Sequence, residues 1–264
     1  MLDNPKSERI KGITRLNQKD ARTESGLFLL EGPQGLKELV ARPDLVQEVF
    51  VTPDCLARYE TEFSELAAGG VVTTQVSERV LDALSDTKTP QGVVAVCRQL
   101  NRTLDEVLAG KPRLIALLSQ VRDPGNAGTV LRAADAAGAD AVIFTDSSVD
   151  VYNPKVVRST AGSLFHVPFV TEVDPIQTIA VARAAGMQAF AADGGGQAIP
   201  DLGQGALASP TIWVFGNEAW GFEPEILAAV DRVVSVPIYG KAESLNLATA
   251  ASVCLFASAM AQRG

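Results

Sequence analysis

The sequence predicts an α/β protein made of two units. Three observations carry that expectation. Beyond Arg113, near-continuous apolar runs of strand length alternate with helical segments. The first hundred residues show shorter strands interleaved with helices. Between them, from about Gln99 to Pro112, lies a polar stretch ending in Gly110-Lys111-Pro112, read as a linker. The division is placed at residues 1–105 and 106–264.

In the first unit the expected strands are GLFLLEG (26–32), VQEVFVT (46–52), GGVVTTQ (69–75) and GVVAVCR (92–98). Helices are expected near 33–42, 54–68 and 77–85, the last opened by Ser77 as a cap. Strands alternating with helices imply a layered α/β unit. In the second unit the strands are RLIALLSQ, DAVIFTD, QAFAAD, TIWVFG and RVVSVPI. Runs this continuously apolar suit a parallel sheet covered on both faces. Helices fall at about 126–137, 153–163, 175–185, 223–230 and 246–262. Gly138 is a C-terminal cap for the first of these. The last is apolar around most of its circumference and must bury two sides, one against the sheet and one against a second subunit.

The chain has 264 residues and 47% hydrophobic content, enough for two modest domains or one large one. No apolar run reaches the roughly 18 residues of a membrane span, and MLDNPKSERIKG lacks a signal-peptide core; a soluble, cytoplasmic protein is expected. Cys55, Cys97 and Cys254 are scattered, without a CxxC, which argues against a disulfide framework or a cysteine zinc site. His166 is the single histidine, in LFHVPFV, which reads as a half-buried strand where it packs or hydrogen-bonds; no metal site is expected. The net charge of −8 argues mildly against nucleic acid, which needs a basic face. The charge is uneven, however. Lys6, Arg9, Lys11, Arg15, Lys19 and Arg22 cluster near the start, Arg98, Arg102, Lys111 and Arg113 in the middle, and Arg122, Lys155 and Arg158 further on. Each reads as a solvated surface unless they share one face.

Conventional nucleotide motifs fit poorly. Gly194-Gly195-Gly196 has Ile199 where a GxGxxG loop needs its last glycine. Gly203–Ala208 matches GxGxxA, but follows AIPDL rather than a strand. Three other segments place polar residues at strand ends or in an apolar helix: Asn126 and Arg132 in DPGNAGTVLRAADAAG, Glu218 in VFGNEAWGF, and Ser244 with Asn246 in YGKAESLNLATAAS. Burying a carboxylate, a guanidinium and two amides costs several kcal/mol unless they satisfy one another. One converging polar site is therefore expected at strand C-termini, where open α/β sheets bind ligands. The simpler reading of Asn126 and Ser244 is helix capping.

The ordered trio NxGxxxR, GNE and SLN, spread over about 120 residues, resembles the three motifs of the TrmH (SpoU) family of SPOUT methyltransferases, over about 113–264. FLLEGPQGLKEL, VFVT and SDTKTPQGVVAV look like the L30e-like substrate-binding domain of many members. The resemblance implies an α/β methyltransferase domain with a parallel sheet and a deep trefoil knot. It implies S-adenosylmethionine as methyl donor, no metal, and a homodimer whose site is completed across the interface. Asn126, Arg132, Glu218, Ser244 and Asn246 match the family's functional positions. Backbone near Ala192, Gly216, Val236, Ile238, Leu245 and Leu247 would hold the cofactor, and Arg158 matches a basic position near substrate. The family proposal makes Arg132 the base; because arginine stays protonated, a cation that stabilises the alkoxide is held open beside it. Glu218 would hold Arg132 or a backbone amide.

The implied reaction is methyl transfer to a ribose 2′-hydroxyl of RNA, with 23S ribosomal RNA expected before tRNA. Two other classes stay open: a non-catalytic RNA-binding protein on the same fold, and a base methyltransferase like the tRNA guanine-N1 enzymes. Absence of adenosylmethionine binding would favour the first, and nucleoside digestion of the product would reveal the second.

Overall fold

A computed structural model describes residues 1–264. The chain divides into two compact units, residues 1–100 with 152–162, and residues 101–151 with 163–264.

The first unit runs α1 (Glu8–Thr14), α2 (Lys19–Ser25), β1 (Leu27–Glu31), α3 (Pro33–Ala41), β2 (Val46–Val51), α4 (Pro53–Arg58), α5 (Glu60–Ala68), β3 (Thr73–Gln75), α6 (Glu78–Leu84) and β4 (Val93–Arg98). The sheet order is β1-β4-β2-β3, with β4 antiparallel to β1 and β2, and β2 parallel to β3. The expected elements are present with three local differences. The third strand is shorter, Thr73–Gln75; Val72 before it is exposed, although its carbonyl accepts the Val49 N–H at 2.9 Å. The expected 54–68 helix breaks at Tyr59, which leaves the helical region. Ser77 occupies the cap position of α6, yet its buried hydroxyl has no partner.

The basic N-terminal cluster is partly consumed by the fold. Arg22 is buried and donates to the Leu16 carbonyl at 2.8 Å. Arg9 pairs with Glu48, and Lys11 with Glu8. At least half of that sequence cluster therefore has a partner within the chain.

The second unit opens with α7 (Leu104–Ala109), inside the stretch expected to be a linker. A capping box opens it: Glu106 N–H donates to Thr103 Oγ1 at 3.2 Å, and Thr103 N–H donates to Glu106 Oε2 at 2.8 Å. Leu104, Val107 and Leu108 share one helix face and pack into the core beneath the sheet. The short apolar stripe had been masked by its polar flanks.

There follow β5 (Leu114–Leu118), α8 (Pro124–Ala137), β6 (Ala141–Thr145), α9 (Pro154–Thr160), β7 (Phe169–Val173), α10 (Pro175–Ala184), β8 (Gln188–Ala198), α11 (Gln204–Ala208), β9 (Thr211–Phe215), α12 (Pro224–Ala229), β10 (Arg232–Ser235) and α13 (Leu247–Arg263). The helix α9 groups with the first unit. The six strands form an all-parallel sheet ordered β10-β8-β9-β5-β6-β7. Its central strands β5, β6 and β9 are buried at every position, as apolar runs of this type require. His166 is not in a strand: residues 163–165 form a tight turn, β7 begins at Phe169, and exposed His166 places Nδ1 2.9 Å from Asp135 Oδ2.

The last helix, α13, covers one face of the sheet. Trp213 on β9 packs edge-on to Phe190 at 5.3 Å and donates its indole N–H to buried Ser258 at 2.9 Å. Arg263 donates to the Gly138 carbonyl at 2.9 Å, tying α13 to the left-handed cap of α8. Only one side of α13 is buried within the chain; Val253, Phe256 and Met260 form an exposed apolar stripe. No helix is long and apolar enough to cross a membrane.

Burial pushes the Cys254 thiol up to about 12 from an ordinary 9.0, and Cys97 further still. In the unfolded chain both thiols ionise near 9.0, so above that pH the unfolded state sheds protons that the folded state retains. Their contribution to stability is complete below pH 9.0 and declines as pH rises towards the folded values. A thiol reagent at pH 8 is expected to label neither cysteine in the folded protein and both in urea. Rapid labelling of Cys254 without denaturant would show that α13 does not seal the core.

Candidate active site

The register of the sheet levels the ends of its strands. Leu118 of β5 lies opposite Phe215 of β9, and Phe215 opposite Ala192 of β8. The residues just beyond, Ser119-Gln120, Gly216-Asn217-Glu218 and Asp193-Gly194, therefore emerge side by side at one edge. The fourth strand, β10, joins through a register break: Val233 faces Ala191, but Val234 faces Gln197. Residues 192–196 bulge out between those pairs. Glycine is needed at 196, because a Cβ there would run into the backbone of Val233 and Val234.

Hydrogen bonds join the three sequence segments. Asn126 donates through Nδ2 to Glu218 Oε1 at 3.1 Å. Asn126 Oδ1 accepts from Asn246 Nδ2 at 2.9 Å. Asn246 Oδ1 accepts from the backbone N–H groups of Ala248 and Thr249, at 2.9 and 3.3 Å, and so caps α13. Capping in α8 falls to Asp123, whose Oδ1 accepts the Asn126 N–H at 2.7 Å. Asn126 is thereby spared the capping role that its sequence position allowed, and its amide faces the site. Ser244 lies two residues before the cap and is exposed.

A second device holds the middle segment. Asn217 is buried, donates through Nδ2 to the Gln120 carbonyl at 2.7 Å, and accepts the Ala219 N–H at 2.8 Å. Its backbone exchanges two hydrogen bonds with Gly221, at 2.9 and 3.0 Å. Gly216 allows this close return: a Cβ there would lie 2.8 Å from the Gly221 carbonyl oxygen. Gln120 holds a left-handed backbone, φ 57°, at the point where Asn217 grips it. Asn217 stands inside the GNE motif, but its clamping role depends on the neighbouring loop and is not readable from the motif.

These loops enclose a cleft of about 450 Å³. Asn126, Glu218, Ser244 and Asn246 line it. So do Ala192, Gly216, Val236, Ile238, Leu245 and Leu247, the residues matched to cofactor binding. Asp193, Glu243 and Phe222 also line it, beyond the residues the sequence motifs indicate. Asp193 was visible as the charged residue that ends an apolar strand; Glu243 and Phe222 carried no distinct signal.

Two expected residues lie elsewhere. Arg132 does not line the cleft; it is exposed on α8 and makes no ion pair within the chain. It stands six residues after Asn126, about 240° around the helix, so the two side chains leave α8 on different faces. Glu218 accordingly holds the Asn126 amide rather than Arg132. Arg158 belongs to the first unit, where it pairs with Glu31 at 3.3 Å and Asp86 at 2.9 Å. The expected burial of these polar groups is also not met. Glu218, Ser244, Asn246 and Arg132 are exposed and Asn126 is half-buried, because all but Arg132 sit on the open mouth of a cleft rather than beneath it.

The cleft lining includes Asp193, Glu218 and Glu243 but no lysine or arginine. Its far wall is aliphatic. Such a lining repels phosphates and attracts a molecule that combines an apolar body with positive charge. Fold and cleft together define an α/β protein with an acidic, partly apolar cleft at the ends of its parallel strands.

Comparison with known proteins narrows the class. Residues 113–256 match the SpoU rRNA Methylase family, and residues 7–95 match the MRM3-like substrate binding domain. The chain belongs to the SpoU (TrmH) family of RNA methyltransferases. It is 34% identical to a 23S rRNA (guanosine(2553)-2′-O)-methyltransferase of Bacillus subtilis, over 97% of both chains. It is 30% identical to a 23S rRNA (uridine(2479)-2′-O)-methyltransferase of Streptomyces viridochromogenes, over 91% of this chain and 85% of that one. Among solved structures it resembles an AdoMet-bound rRNA methyltransferase from Sinorhizobium meliloti, with a TM-score of 0.85 and 28% identity over 97% of this chain and 96% of that one.

Asn217→Ala is expected to leave the Gln120 carbonyl unpaired and lower stability by about 1–3 kcal/mol, read from urea denaturation. An unchanged midpoint would show that the two loops do not depend on this clamp.

Proposed function

We propose that this protein transfers a methyl group from S-adenosylmethionine to a ribose 2′-hydroxyl of 23S ribosomal RNA. The observation that carries the reading is the bonded set Glu218–Asn126–Asn246 at the mouth of a cleft whose only charged side chains are acidic. The relatives named above, which act on 23S rRNA, support the substrate class. A ribosomal RNA substrate supports a cytoplasmic location.

The residues fit the cofactor. Val236, Ile238, Leu245 and Leu247 offer an apolar wall for an adenine ring, and Asp193, Glu218 and Glu243 complement a sulfonium and an ammonium. Bound there, the cofactor would supply an electrophilic methyl group; the chain's part is to align the 2′-oxygen, whose proton passes to water at the open cleft mouth. Asn126 and Asn246 fix the cleft mouth and orient the hydroxyl. Glu218, held by Asn126, sets the position of that amide. Arg132 is the group for the charge that develops on the 2′-oxygen. Its guanidinium acts on that charge by electrostatic stabilisation.

Arg132 is absent from the cleft of its own chain, which supports its delivery by a second subunit. The exposed Val253, Phe256 and Met260 stripe gives a homodimer an apolar face to bury. Arg158, half-occupied by two carboxylates, is assigned to RNA contact in the first unit.

Labelled methyl is expected to pass from adenosylmethionine to unmodified 23S rRNA and to be recovered as a 2′-O-methyl nucleoside. Recovery in a base, or incorporation only into tRNA, would overturn the substrate assignment; failure to bind adenosylmethionine would overturn the enzyme. Arg132→Ala should lose at least about 100-fold in turnover and keep cofactor affinity. Mixing Arg132→Ala with Asn246→Ala subunits should restore activity to about a quarter of wild type, because one site in each mixed dimer is intact. No recovery on mixing would place Arg132 in its own subunit's chemistry or outside catalysis.

A further inference from the structure

The two tryptophans of the chain sit in opposite environments. Trp213 is fully buried between Phe190 and Phe215, and its N–H is bonded to Ser258. Trp220 is 54% exposed, and its N–H makes no hydrogen bond within the chain. It is not on a loose tip. The hairpin 217–221 is closed by two backbone bonds and gripped by the Asn217 side chain, so Glu218 turns to the cleft while Trp220, two residues on, stands outside it. The Arg122 guanidinium lies over its ring, 5.0 Å from the centroid. Arg122 directly precedes the Asp123 cap of α8, so the pair spans the first and second site segments.

We propose that Trp220 and Arg122 form a nucleobase platform beside the cleft. A base next to the reacting nucleotide stacks on the indole, and the adjoining phosphate pairs with Arg122. This deepens the methyltransferase reading and rests on it. The acidic cleft repels the RNA backbone, so the strand must be held at the rim. A flat ring with a guanidinium over it offers a stacking surface and a phosphate partner together. Stacking tolerates any base, since each has a π-face. The hairpin that carries the indole is closed by its own hydrogen bonds, so its backbone loses little freedom on binding.

The test uses the full-length protein and unmodified 23S rRNA. Trp220→Ala should raise KM for RNA by about 5- to 150-fold, the equivalent of the ~1–3 kcal/mol that one stacked base supplies. The kcat should change less, and adenosylmethionine affinity should not change. Trp220→Phe should recover part of the loss. Arg122→Ala should raise KM and flatten its dependence on salt. RNA should quench tryptophan emission of the wild type but not of Trp220→Phe, where only buried Trp213 remains.

Unchanged KM in Trp220→Ala, or equal quenching in both proteins, would overturn the platform. Loss of dimer or of cofactor affinity in that variant would also overturn it, assigning Trp220 to packing. The quenching titration needs no turnover. A wild type that binds RNA through Trp220 without methylating it would therefore refute the enzymatic reading and leave the platform standing.

Discussion

A chain of two side-chain hydrogen bonds, from Asn246 to Asn126 to Glu218, joins segments 92 and 120 residues apart in sequence. Asn126 uses its donor on one partner and its acceptor on the other. Neither partner can be replaced by an apolar residue without leaving an amide group unpaired at the cleft mouth. The same bonds align the start of α8, the loop after β9 and the start of α13. Each of those three elements contributes to the cleft, so its shape depends on this relay.

The relay stands on the sheet. Parallel register puts Leu118, Phe215 and Ala192 on one level, and everything beyond them is loop. Two close backbone approaches complete the edge. Gly196 admits the bulge between β8 and β10, and Gly216 admits the return of Gly221. Because the loops bind one another as well as the sheet, the cleft is built before any ligand arrives. Preformed geometry is what in-line transfer to an unactivated hydroxyl requires, since the protein adds no covalent chemistry of its own.

Charge is arranged in keeping with this division of labour. A net charge of −8 suits an acidic cleft for a cationic cofactor and is a poor base for binding RNA. Part of the basic sequence is also spent inside the fold, with Arg22 buried, Arg9 and Lys11 paired, and Arg158 held by Glu31 and Asp86. Arg122 and Arg132 remain exposed on the second unit without an ion pair. Both lie on or next to α8, beside the cleft segment.

Much of the fold was legible because it is written in local patterns. Continuous apolar runs gave the parallel strands, and Gly138 marked the end of α8. Polar residues at the ends of apolar runs pointed to one place, and Asn126, Glu218, Ser244 and Asn246 do line one cleft, though at its open mouth rather than buried. What stayed hidden depends on contacts between distant residues. The helix α7 carries a capping box but too short an apolar stripe to stand out before the core that receives it is known. Asn126 reads as a cap until Asp123 is seen to do the capping. Arg132 reads as a cleft residue until the turn of α8 carries it around to another face. Sequence by itself determined which elements form and which residue types must meet, since periodicity and turn chemistry are local. Tertiary structure alone decided which atoms meet, because register, helix rotation and loop closure are set by packing across the whole unit.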